Sequence, residues 1–498
     1  MNEKTKNILK ISGYILCGIE LILGIIFIAH LCKLDVLTAK AIILIAVIIL
    51  GSVVLCAALQ KFVATGIITK IISILLSVVM VVGTIYVSAT NKTLDKILNT
   101  KTQIENYSLY VLADDKAADI KDIKDYKIGG YPSLTNEDMV KVLEKMNKDS
   151  EIEFKVDEYE DITKLIDDLY NKKIQAILVN SAHLSILDNT DEYFGIDDKI
   201  KAVWNMSIEK EVEEPTNNIE EETKDPYDDY KDYLYSGEDV ITVYISGIDT
   251  TGPANVVRNS DVNILLTVNT KTRQILMINT PRDFYVPIAL KEANGAKDKL
   301  THAGCYGVKC SIKTIENLYG VKIDNYIKIN FSGFVGIVDA IGGVDVYSEY
   351  EFTVDPIKTY KVGYNHCTGI EALAFARERH SFNSGDRQRG KNQMEVIKAV
   401  ISKLASTDTL LNYTDFLDEL SMCIVTDMSK DTLTDLIKLQ LSDMRGWDFI
   451  TYSADGTGAK KKPYSLSFET YVMEPNESTV ETAKGYLSKI INGEIISN

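Results

Sequence analysis

Arginine is distributed very unevenly along this chain of 498 residues. Seven of its eight arginines lie between Arg258 and Arg389, and the first 257 residues contain many lysines but no arginine. A guanidinium group is a planar, permanently charged fork that binds two phosphate oxygens at once, whereas lysine acts as a point charge. In a chain with a net charge of −17, this concentration of arginine predicts a site for an anion, with phosphate as the first candidate. Arginines in surface ion pairs are the alternative.

The densest pattern lies in the segment ALAFARERHSFNSGDRQRGKNQMEVIKAV. Arg377 and Arg379 share a face if the chain is extended, and Asp386, Arg389 and Gln393 have the spacing of one helix face. A helix that begins just after the SG pair would offer free backbone N–H groups and the positive end of its dipole to an anion. The segment therefore predicts one side of a phosphate site.

Aspartates and arginines also follow the first strand-like runs of this region. Asp249 ends YISGID, Asp261 lies near Arg258 in RNSDVN, and Asp283 follows Arg282 in TPRDFYV. Sites on open sheets are usually built at strand ends and in the loops after them. Two carboxylates near phosphates can hold one Mg²⁺, whose remaining ligands are water and substrate oxygens. We therefore predict a site for Mg²⁺ (or Mn²⁺), with a turn or cap role as the alternative for any single aspartate.

The elements that must position these side chains predict an α/β protein in several parts. Residues 1–90 contain three apolar stretches of about 20 residues, the length that a transmembrane helix needs. Residues 100–205 alternate between strand and helix patterns, which predicts a small α/β accessory domain. Residues 206–238 are acidic and poor in apolar residues, as in a linker. Residues 239–498 are predicted to form an α-β-α sandwich with a mixed central sheet and a hairpin at VNILLTVN and QILMINT.

Loop charges predict the orientation in the membrane. Lysines precede the first span and Lys61 lies between the second and third, whereas the remaining short loop offsets its lysines with Asp35. The positive-inside rule then places the N-terminus in the cytoplasm, and three spans place the later domains outside the cell membrane. Glu20 lies within the first span, where it is either functional or packed between helices. Pairing of Cys305 with Cys310 is left open.

Several blocks in the last part of the chain resemble the LytR-CpsA-Psr family of cell-wall polymer ligases. They are SGID, SDVNILLTVNTKT, INTPRDFYVPI, KDKLTHAGCYG, ENLYGVKIDNYIKINFSGFVGIVDAIGGVDVYS and FARERHSFNSGDRQRGKNQMEVIKAV, in order over residues 240–404. Three spans followed by a small accessory domain resemble the capsule-linked branch of the family. The resemblance implies an extracytoplasmic phosphotransferase that moves a capsular or teichoic-type glycopolymer from polyprenyl pyrophosphate to a hydroxyl of peptidoglycan.

The resemblance also implies roles for individual residues and partners. It assigns Mg²⁺ to Asp249 and Asp261. The predicted pyrophosphate ligands are Arg258, Arg282, Arg377, Arg379, Arg389 and Gln393, and the predicted catalytic residues are Arg282, Arg377, Arg379 and Asp283. Many family members have arginine directly before the serine of the RSD motif, whereas here Asn259 stands between Arg258 and that serine; Asn392 stands where arginine is often found. The expected partners are the polyprenyl-linked glycopolymer, peptidoglycan, the membrane and capsule or wall assembly proteins, and no nucleic acid is expected.

Two other functions are compatible with the same residues. One is a non-catalytic protein that binds polyprenyl pyrophosphate or the polymer and regulates export. The other is a lipid pyrophosphate hydrolase, in which water replaces the acceptor hydroxyl. Arg273 and Arg387 match no motif, and we expect them in ordinary surface positions.

Overall fold

A computed structural model of the chain describes residues 3–98, 102–132, 136–212, 233–250, 252–406 and 423–497. Within these ranges the chain divides into two units. The first comprises residues 3–98, 405–406 and 428–445, and the second comprises residues 102–404, 423–427 and 446–497, apart from the gaps just given. Most of the predicted linker, residues 213–232, lies outside the described residues.

The first unit is built on three long apolar helices. They are α1 (Glu3–Leu34), α2 (Ala39–Leu59) and α3 (Val63–Leu98). Each is long and apolar enough to cross a membrane. Many of their isoleucine, leucine and valine side chains are exposed on the outside of the helices, as lipid-facing residues would be. The prediction of three apolar helices of spanning length is therefore confirmed.

Glu20 is fully buried among these three helices. Its carboxylate accepts a hydrogen bond of 2.7 Å from Ser52 of α2 and one of 2.5 Å from Ser73 of α3. A carboxyl group in an apolar environment requires such partners. The contacts connect α1 to both other helices, which fits the packing role left open for Glu20.

The accessory domain contains a five-stranded sheet in the spatial order β3-β2-β4-β1-β5. Its elements are β1 (Thr102–Leu112), β2 (Ile128–Tyr131), α4 (Glu137–Ser150), β3 (Val156–Glu158), α5 (Ile162–Tyr170), β4 (Ala176–Asn180), α6 (Ser181–Asp188), α7 (Ile196–Lys199) and β5 (Ile200–Glu211). Strand β2 is parallel to β3 and β4, and β1 is antiparallel to β4 and β5. Strand β5 pairs with β1 along its length and runs beyond residue 205.

The last domain is built around a six-stranded sheet in the order β16-β11-β6-β7-β8-β17. Its elements are β6 (Val240–Ile248), β7 (Val262–Asn269), β8 (Gln274–Asn279), β9 (Tyr285–Pro287), β10 (Lys297–Lys299), α8 (Leu300–Ala303), α9 (Val308–Tyr319), β11 (Asn325–Asn330), α10 (Phe331–Ala340), β12 (Val344–Ser348), β13 (Phe352–Val354), β14 (Lys358–Tyr360), β15 (Gly363–Cys367), α11 (Gly369–Arg377), α12 (Asp386–Leu404), β16 (Ile424–Thr426), β17 (Asp448–Ser453), β18 (Gly456–Lys461), β19 (Thr470–Pro475) and α14 (Glu477–Ile491). The intervening helix α13 (Lys430–Asp443) belongs to the first unit.

The central sheet is mixed, as predicted. Strands β6 and β11 are parallel, as are β8 and β17, whereas β7 is antiparallel to both of its neighbours. The predicted hairpin is the pair β7 and β8. On one face of the sheet, Leu265, Leu276 and Ile278 pack with Ile315 of α9 and Leu487 of α14. All five side chains are at most 1% exposed, so this layer forms the core of the domain.

Helix α12 covers the other face. Because side chains alternate along a strand, Asn279 of β8 points away from the core layer that contains Ile278. A Cβ atom added at Gly390 of α12 would collide with the Asn279 side chain, so the helix lies directly against this face. Helices on both faces of a mixed sheet confirm the predicted α-β-α sandwich.

The strand directions bring several predicted site residues to one edge of the sheet. Strands β6, β8, β11 and β17 end there and β7 begins there. Asp249 follows β6, Asp261 precedes β7 and Arg282 lies three residues beyond β8. This edge is therefore where a site can form.

The accessory domain and the sandwich share a core. Val257 and Cys305 of the sandwich belong to one buried cluster with Leu187 of the accessory domain. The backbone of Ile104 in β1 accepts from Val257 N–H at 2.8 Å, which joins the two domains by a main-chain hydrogen bond. Cys305 and Cys310 are both buried with free thiols.

Candidate anion site at the edge of the central sheet

Arg282 forms a largely enclosed ion pair with Asp261. Its Nη1 donates to Oδ1 of Asp261 at 2.6 Å, and the side chains are only 16% and 17% exposed. The backbone N–H of Asp261 donates to the carbonyl of Gly247 at 2.8 Å, which fixes the aspartate beside the end of β6. The Nε of Arg282 is buried and has no hydrogen-bond partner among the residues described. A buried N–H group without a hydrogen bond is costly, and the electrostatic contact with Asp283, whose Oδ2 lies 3.8 Å away, offsets part of that cost.

The neighbouring charges keep Arg282 ionised. Burial alone would lower its pKa, but Asp261 and then Asp283 outweigh that effect and raise the pKa. Burial would likewise raise the pKa of Asp283, but Lys299 and Arg282 lower it overall. Asp283 is thus a buried anion between two cations, and a carboxyl group with a lowered pKa is a weak proton acceptor. Its predicted catalytic role stays a prediction, and its surroundings favour support of Arg282.

Arg389 supplies a second largely enclosed guanidinium from the first turn of α12. Its side chain is 13% exposed, and its Nη1 lies 3.3 Å from Oδ1 of Asp386. Burial and the positive charge of Arg282 lower the pKa of Arg389. Two like charges so enclosed repel each other, and an anion bound beside both would relieve the repulsion. Gln393 lies one turn further along α12 and is 8% exposed.

Arg377 and Arg379 lie in more open positions. Arg377 ends α11, and its Nη2 donates to Oδ2 of Asp249 at 2.9 Å, with both side chains about half exposed. Its guanidinium also lies over the ring of Phe331, 5.2 Å from the centroid. Arg379 is 42% exposed, and its Nη1 is 3.9 Å from Oδ1 of Asp386, the carboxylate that also contacts Arg389. These two arginines are accessible to a large substrate.

Arg258 turns toward the accessory domain. Its Nη2 lies 3.5 Å from Oδ2 of Asp197 in α7. The following residue, Asn259, is buried; its Nδ2 donates to the carbonyl of Ser185 at 2.6 Å, and its Oδ1 accepts from the thiol of Cys305 at 2.7 Å. The departure from the family pattern at Asn259 therefore coincides with a contact between the domains.

The two arginines expected at the surface differ from each other. Arg387 pairs with Asp455 at 2.6 Å, with side chains that are 50% and 41% exposed, so the prediction is confirmed there. For Arg273 the prediction is wrong, since this residue is 3% exposed and its guanidinium stacks on Trp447 at 4.9 Å. It adopts a left-handed backbone conformation in the turn between β7 and β8.

Four residues near the arginines have no role in the site predicted from the sequence, although Asp386 is predicted to share a helix face with Arg389. They are Asn189, Asp197, Lys299 and Asp386. Asp386 has helical spacing with Arg389, and Lys299 lies in the block KDKLTHAGCYG, so local signals existed for both. Asn189 and Asp197 lie in the accessory domain, where the sequence contains no motif that points to the site.

Asp249 and Asp261, the predicted magnesium ligands, have donor atoms of the kind that Mg²⁺ prefers. In the described residues, no group of three or more His, Cys, Asp or Glu side chains is arranged to hold a metal. Mg²⁺ is commonly held by one or two carboxylates together with substrate phosphates and water. The two aspartates lie at the same sheet edge, and their ion pairs with arginine engage one oxygen of each carboxylate.

Two enclosed guanidiniums, two accessible ones and two aspartates at the strand ends of a mixed sheet are typical of a phosphate-binding site. A family model described as the LytR_cpsA_psr family matches residues 201–464, which is more than half of the chain. The chain belongs to this family, so the resemblance in the sequence motifs is confirmed.

Curated relatives and solved structures also match. The chain is 36% identical over 222 residues to the polyisoprenyl-teichoic acid–peptidoglycan teichoic acid transferase TagU of Bacillus cereus, covering 44% of this chain and 71% of that protein. It is 34% identical over 202 residues to the protein of the same name from Halalkalibacterium halodurans, covering 40% and 65%. The crystal structure of B. subtilis TagV matches with 25% identity and a TM-score of 0.42, covering 52% of this chain and 100% of that chain.

Proposed function

We propose that this protein is a membrane-anchored transferase that moves a glycopolymer from a polyprenyl pyrophosphate carrier to a hydroxyl of peptidoglycan. The observation that carries the proposal is the pair of largely enclosed guanidiniums of Arg282 and Arg389, whose side chains are 16% and 13% exposed. Family membership and the relatives named as teichoic acid transferases support the same reaction.

In the proposed reaction, the acceptor oxygen bonds to the phosphorus that carries the glycan. The bond from this phosphorus to the bridging oxygen breaks, polyprenyl phosphate leaves, and the hydroxyl proton passes to a base. Negative charge grows on the bridging oxygen as the bond breaks. Arg282 and Arg389 are enclosed, where a hydrogen bond to developing charge is worth more than in water. We assign them to the pyrophosphate oxygens.

Arg377 and Arg379 are assigned to the outer part of the substrate. Both are partly exposed, and Arg377 is already oriented by Asp249 and Phe331. A guanidinium held from two sides loses less freedom when it binds a phosphate. Gln393, buried on α12 behind Arg389, is assigned to hydrogen bonding at the pyrophosphate, and Arg258 to its margin, next to Asp197.

Mg²⁺ (or Mn²⁺) is proposed as the cofactor, with Asp249 and Asp261 as its protein ligands. Bound there, the ion would neutralise charge on the pyrophosphate. The two aspartates accept hydrogen bonds from Arg377 and Arg282 through one oxygen each, which leaves the second oxygen of each carboxylate outside these ion pairs.

The three apolar helices support membrane anchoring. We propose that the N-terminus is cytoplasmic and that the two later domains are extracellular, because polyprenyl-linked polymer and peptidoglycan meet outside the cell membrane. Capsular polysaccharide and teichoic-type polymers are both included in the proposed substrate class. Contacts with capsule or wall assembly proteins are part of the same proposal.

Product analysis tests the proposal directly. The full chain in lipid nanodiscs is supplied with Mg²⁺, a polyprenyl-pyrophosphate glycan and peptidoglycan fragments, and the products are identified by mass. We expect a phosphodiester-linked conjugate and polyprenyl phosphate. Arg282→Ala should lower kcat by roughly 100-fold or more, since loss of one charge-stabilising donor costs about 3 to 4 kcal/mol.

Arg387→Ala is the matched control, because Arg387 lies in the same helix turn as Arg389 but forms an exposed ion pair with Asp455. Its activity should equal that of the wild type. Free glycan phosphate without conjugate would instead identify a hydrolase, and bound lipid without any product would identify a non-catalytic binder. Either result would refute the proposed transfer.

A further inference from the structure

Asn189, at the C-terminal end of α6 in the accessory domain, contacts Arg282 of the sandwich. Oδ1 of Asn189 accepts a hydrogen bond of 3.2 Å from Nη1 of Arg282, and the Asn189 Nδ2 donates to the carbonyl of Ser185 at 3.0 Å. Both ends of the amide are therefore engaged, which fixes the direction of the side chain. Nη1 of Arg282 is held by two acceptors, Asn189 from one domain and Asp261 from the other.

The same carbonyl of Ser185 connects Asn189 to the loop that precedes β7. It accepts one amide hydrogen bond from Asn189 and a second from Asn259, which is 4% exposed. A few residues away, Asp197 pairs with Arg258 at 3.5 Å. The accessory domain thus contacts two of the predicted pyrophosphate ligands, Arg282 and Arg258, through separate side chains.

The contact between the accessory domain and the sandwich is buried at its centre. Leu187, two residues before Asn189, packs in one buried cluster with Val257 and Cys305 of the sandwich. The side-chain oxygen of Thr163 in α5 also hydrogen-bonds that of Ser467 across the same junction. A hydrogen bond held by such packing can orient a guanidinium group, whereas one between two mobile surface side chains cannot.

We infer that Asn189 is a positioning residue for Arg282, so that the accessory domain completes the site of the sandwich domain; this rests on the proposed function. Asn189 and Asp261 fix the Nη1 end of the guanidinium and therefore the direction of its other N–H groups. Because its side chain is a neutral amide, Asn189 accepts this hydrogen bond from Arg282 without adding negative charge to the site. An aspartate at the same place would also accept from Arg282, but it would compete with an anionic ligand for the guanidinium charge.

Binding of a short carrier analogue tests the inference. Farnesyl pyrophosphate is titrated calorimetrically into the full chain in nanodiscs, with Mg²⁺ present. We expect Asn189→Ala to weaken binding roughly tenfold, the usual scale for one hydrogen bond to a charged group. Asn189→Asp should bind at least as weakly as Asn189→Ala, although it keeps an acceptor oxygen.

Asn171→Ala is a closely matched control. Asn171 and Asn189 both follow accessory helices, α5 and α6, as C-terminal caps, with backbone φ/ψ angles of −80°/4° and −82°/9°. Loss of a helix cap by itself would affect the two variants alike. We expect Asn171→Ala to bind farnesyl pyrophosphate as the wild type does.

A double-mutant cycle separates positioning from general support of the fold. If Asn189 acts through Arg282, then Asn189→Ala should have little further effect on affinity when Arg282 is already alanine. Equal losses in both backgrounds, or no loss in either, would overturn the inference.

Turnover is measured on the same samples. If Arg282→Ala abolishes transfer and Asn189→Ala changes neither binding nor kcat, the inference fails while the proposed function stands. If the wild type makes no conjugate, the proposed function fails, and the binding cycle still decides the inference.

Discussion

Lys299 and Asp283 form an interior ion pair of 3.1 Å beside the site, with side chains that are only 3% and 10% exposed. The second carboxylate oxygen of Asp283 lies 3.8 Å from Nε of Arg282. Asp283 therefore acts as counterion to Lys299 first and to Arg282 at longer range. Since Lys299 neutralises much of its charge, Arg282 keeps positive charge available for a ligand.

Asp283→Asn should destabilise the second unit by about 3 to 5 kcal/mol at pH 7, because Lys299 would stay buried without its counterion. Asp283 has a lowered pKa in the fold, so its stabilisation is complete above the usual value of 3.8 and is lost as the pH falls through the folded value. The difference between wild type and variant should then shrink from pH 7 to pH 3. Urea unfolding followed by tryptophan fluorescence measures it, since Trp204 and Trp447 both lie in this unit.

Asp455→Asn is the control for that measurement. It removes an exposed ion pair with Arg387, which is worth less than about 1 kcal/mol. Equal stability of the Asp283→Asn variant and the wild type at pH 7 would contradict the buried pairing.

Inorganic pyrophosphate should stabilise the protein through Arg389 and Arg282. A ligand present at 100 times its Kd stabilises the folded state by about 2.7 kcal/mol, which raises the Tm by several degrees. Without Arg389, Arg282 no longer faces a second enclosed positive charge, so a bound anion has no repulsion to relieve. Arg389→Ala should therefore lose most of the increase in Tm. Thermal unfolding with and without pyrophosphate checks it, and Arg387→Ala should respond as the wild type. A full response from Arg389→Ala would show that the anion binds elsewhere.

The Mg²⁺ dependence of transfer should change when Asp249 or Asp261 is replaced, but not when a surface aspartate is replaced. Asp249→Asn and Asp261→Asn should each raise the Mg²⁺ concentration for half-maximal transfer by roughly tenfold or more, since each removes one anionic oxygen ligand. Asp455→Asn, which also removes the partner of an arginine at the surface, should leave the Mg²⁺ dependence unchanged. If both predicted ligand variants keep the wild-type dependence, the metal is not held by these carboxylates.

Much of the fold could be predicted because its signals are local. Hydropathy identifies α1 to α3, and two apolar runs around a polar turn identify the β7 and β8 hairpin. The convergence of Asp261 and Arg282 was predictable from the rule that sites form at strand ends. Arg389 was predictable from helical spacing in the segment that became α12.

The remaining contacts depend on long-range packing. The Asn189 and Arg282 side chains are separated by 93 positions and meet only because the accessory domain packs on the sandwich through a shared core. Arg273 likewise lies on Trp447 because β8 and β17 are neighbours in the sheet. Neither pairing leaves a local pattern, so composition and spacing could not reveal it.

Lys328 should make stability depend on pH in the alkaline range. Its side chain is 4% exposed and donates to the carbonyl of Val256, in the loop that leads to Arg258, at 2.6 Å. Burial lowers the pKa of Lys328 from 10.5 to about 8. Between pH 8 and pH 10.5 the unfolded chain binds a proton at Lys328 that the folded chain does not. The free energy of unfolding therefore rises with pH, by roughly 3 kcal/mol in total relative to Lys328→Met.

Urea unfolding followed by circular dichroism from pH 7.5 to pH 10.5, in roughly half-unit steps, measures this difference. Lys361→Met, at an exposed position, should give a curve parallel to the wild type. A parallel curve for Lys328→Met as well would mean that the Lys328 ammonium stays charged in the folded protein.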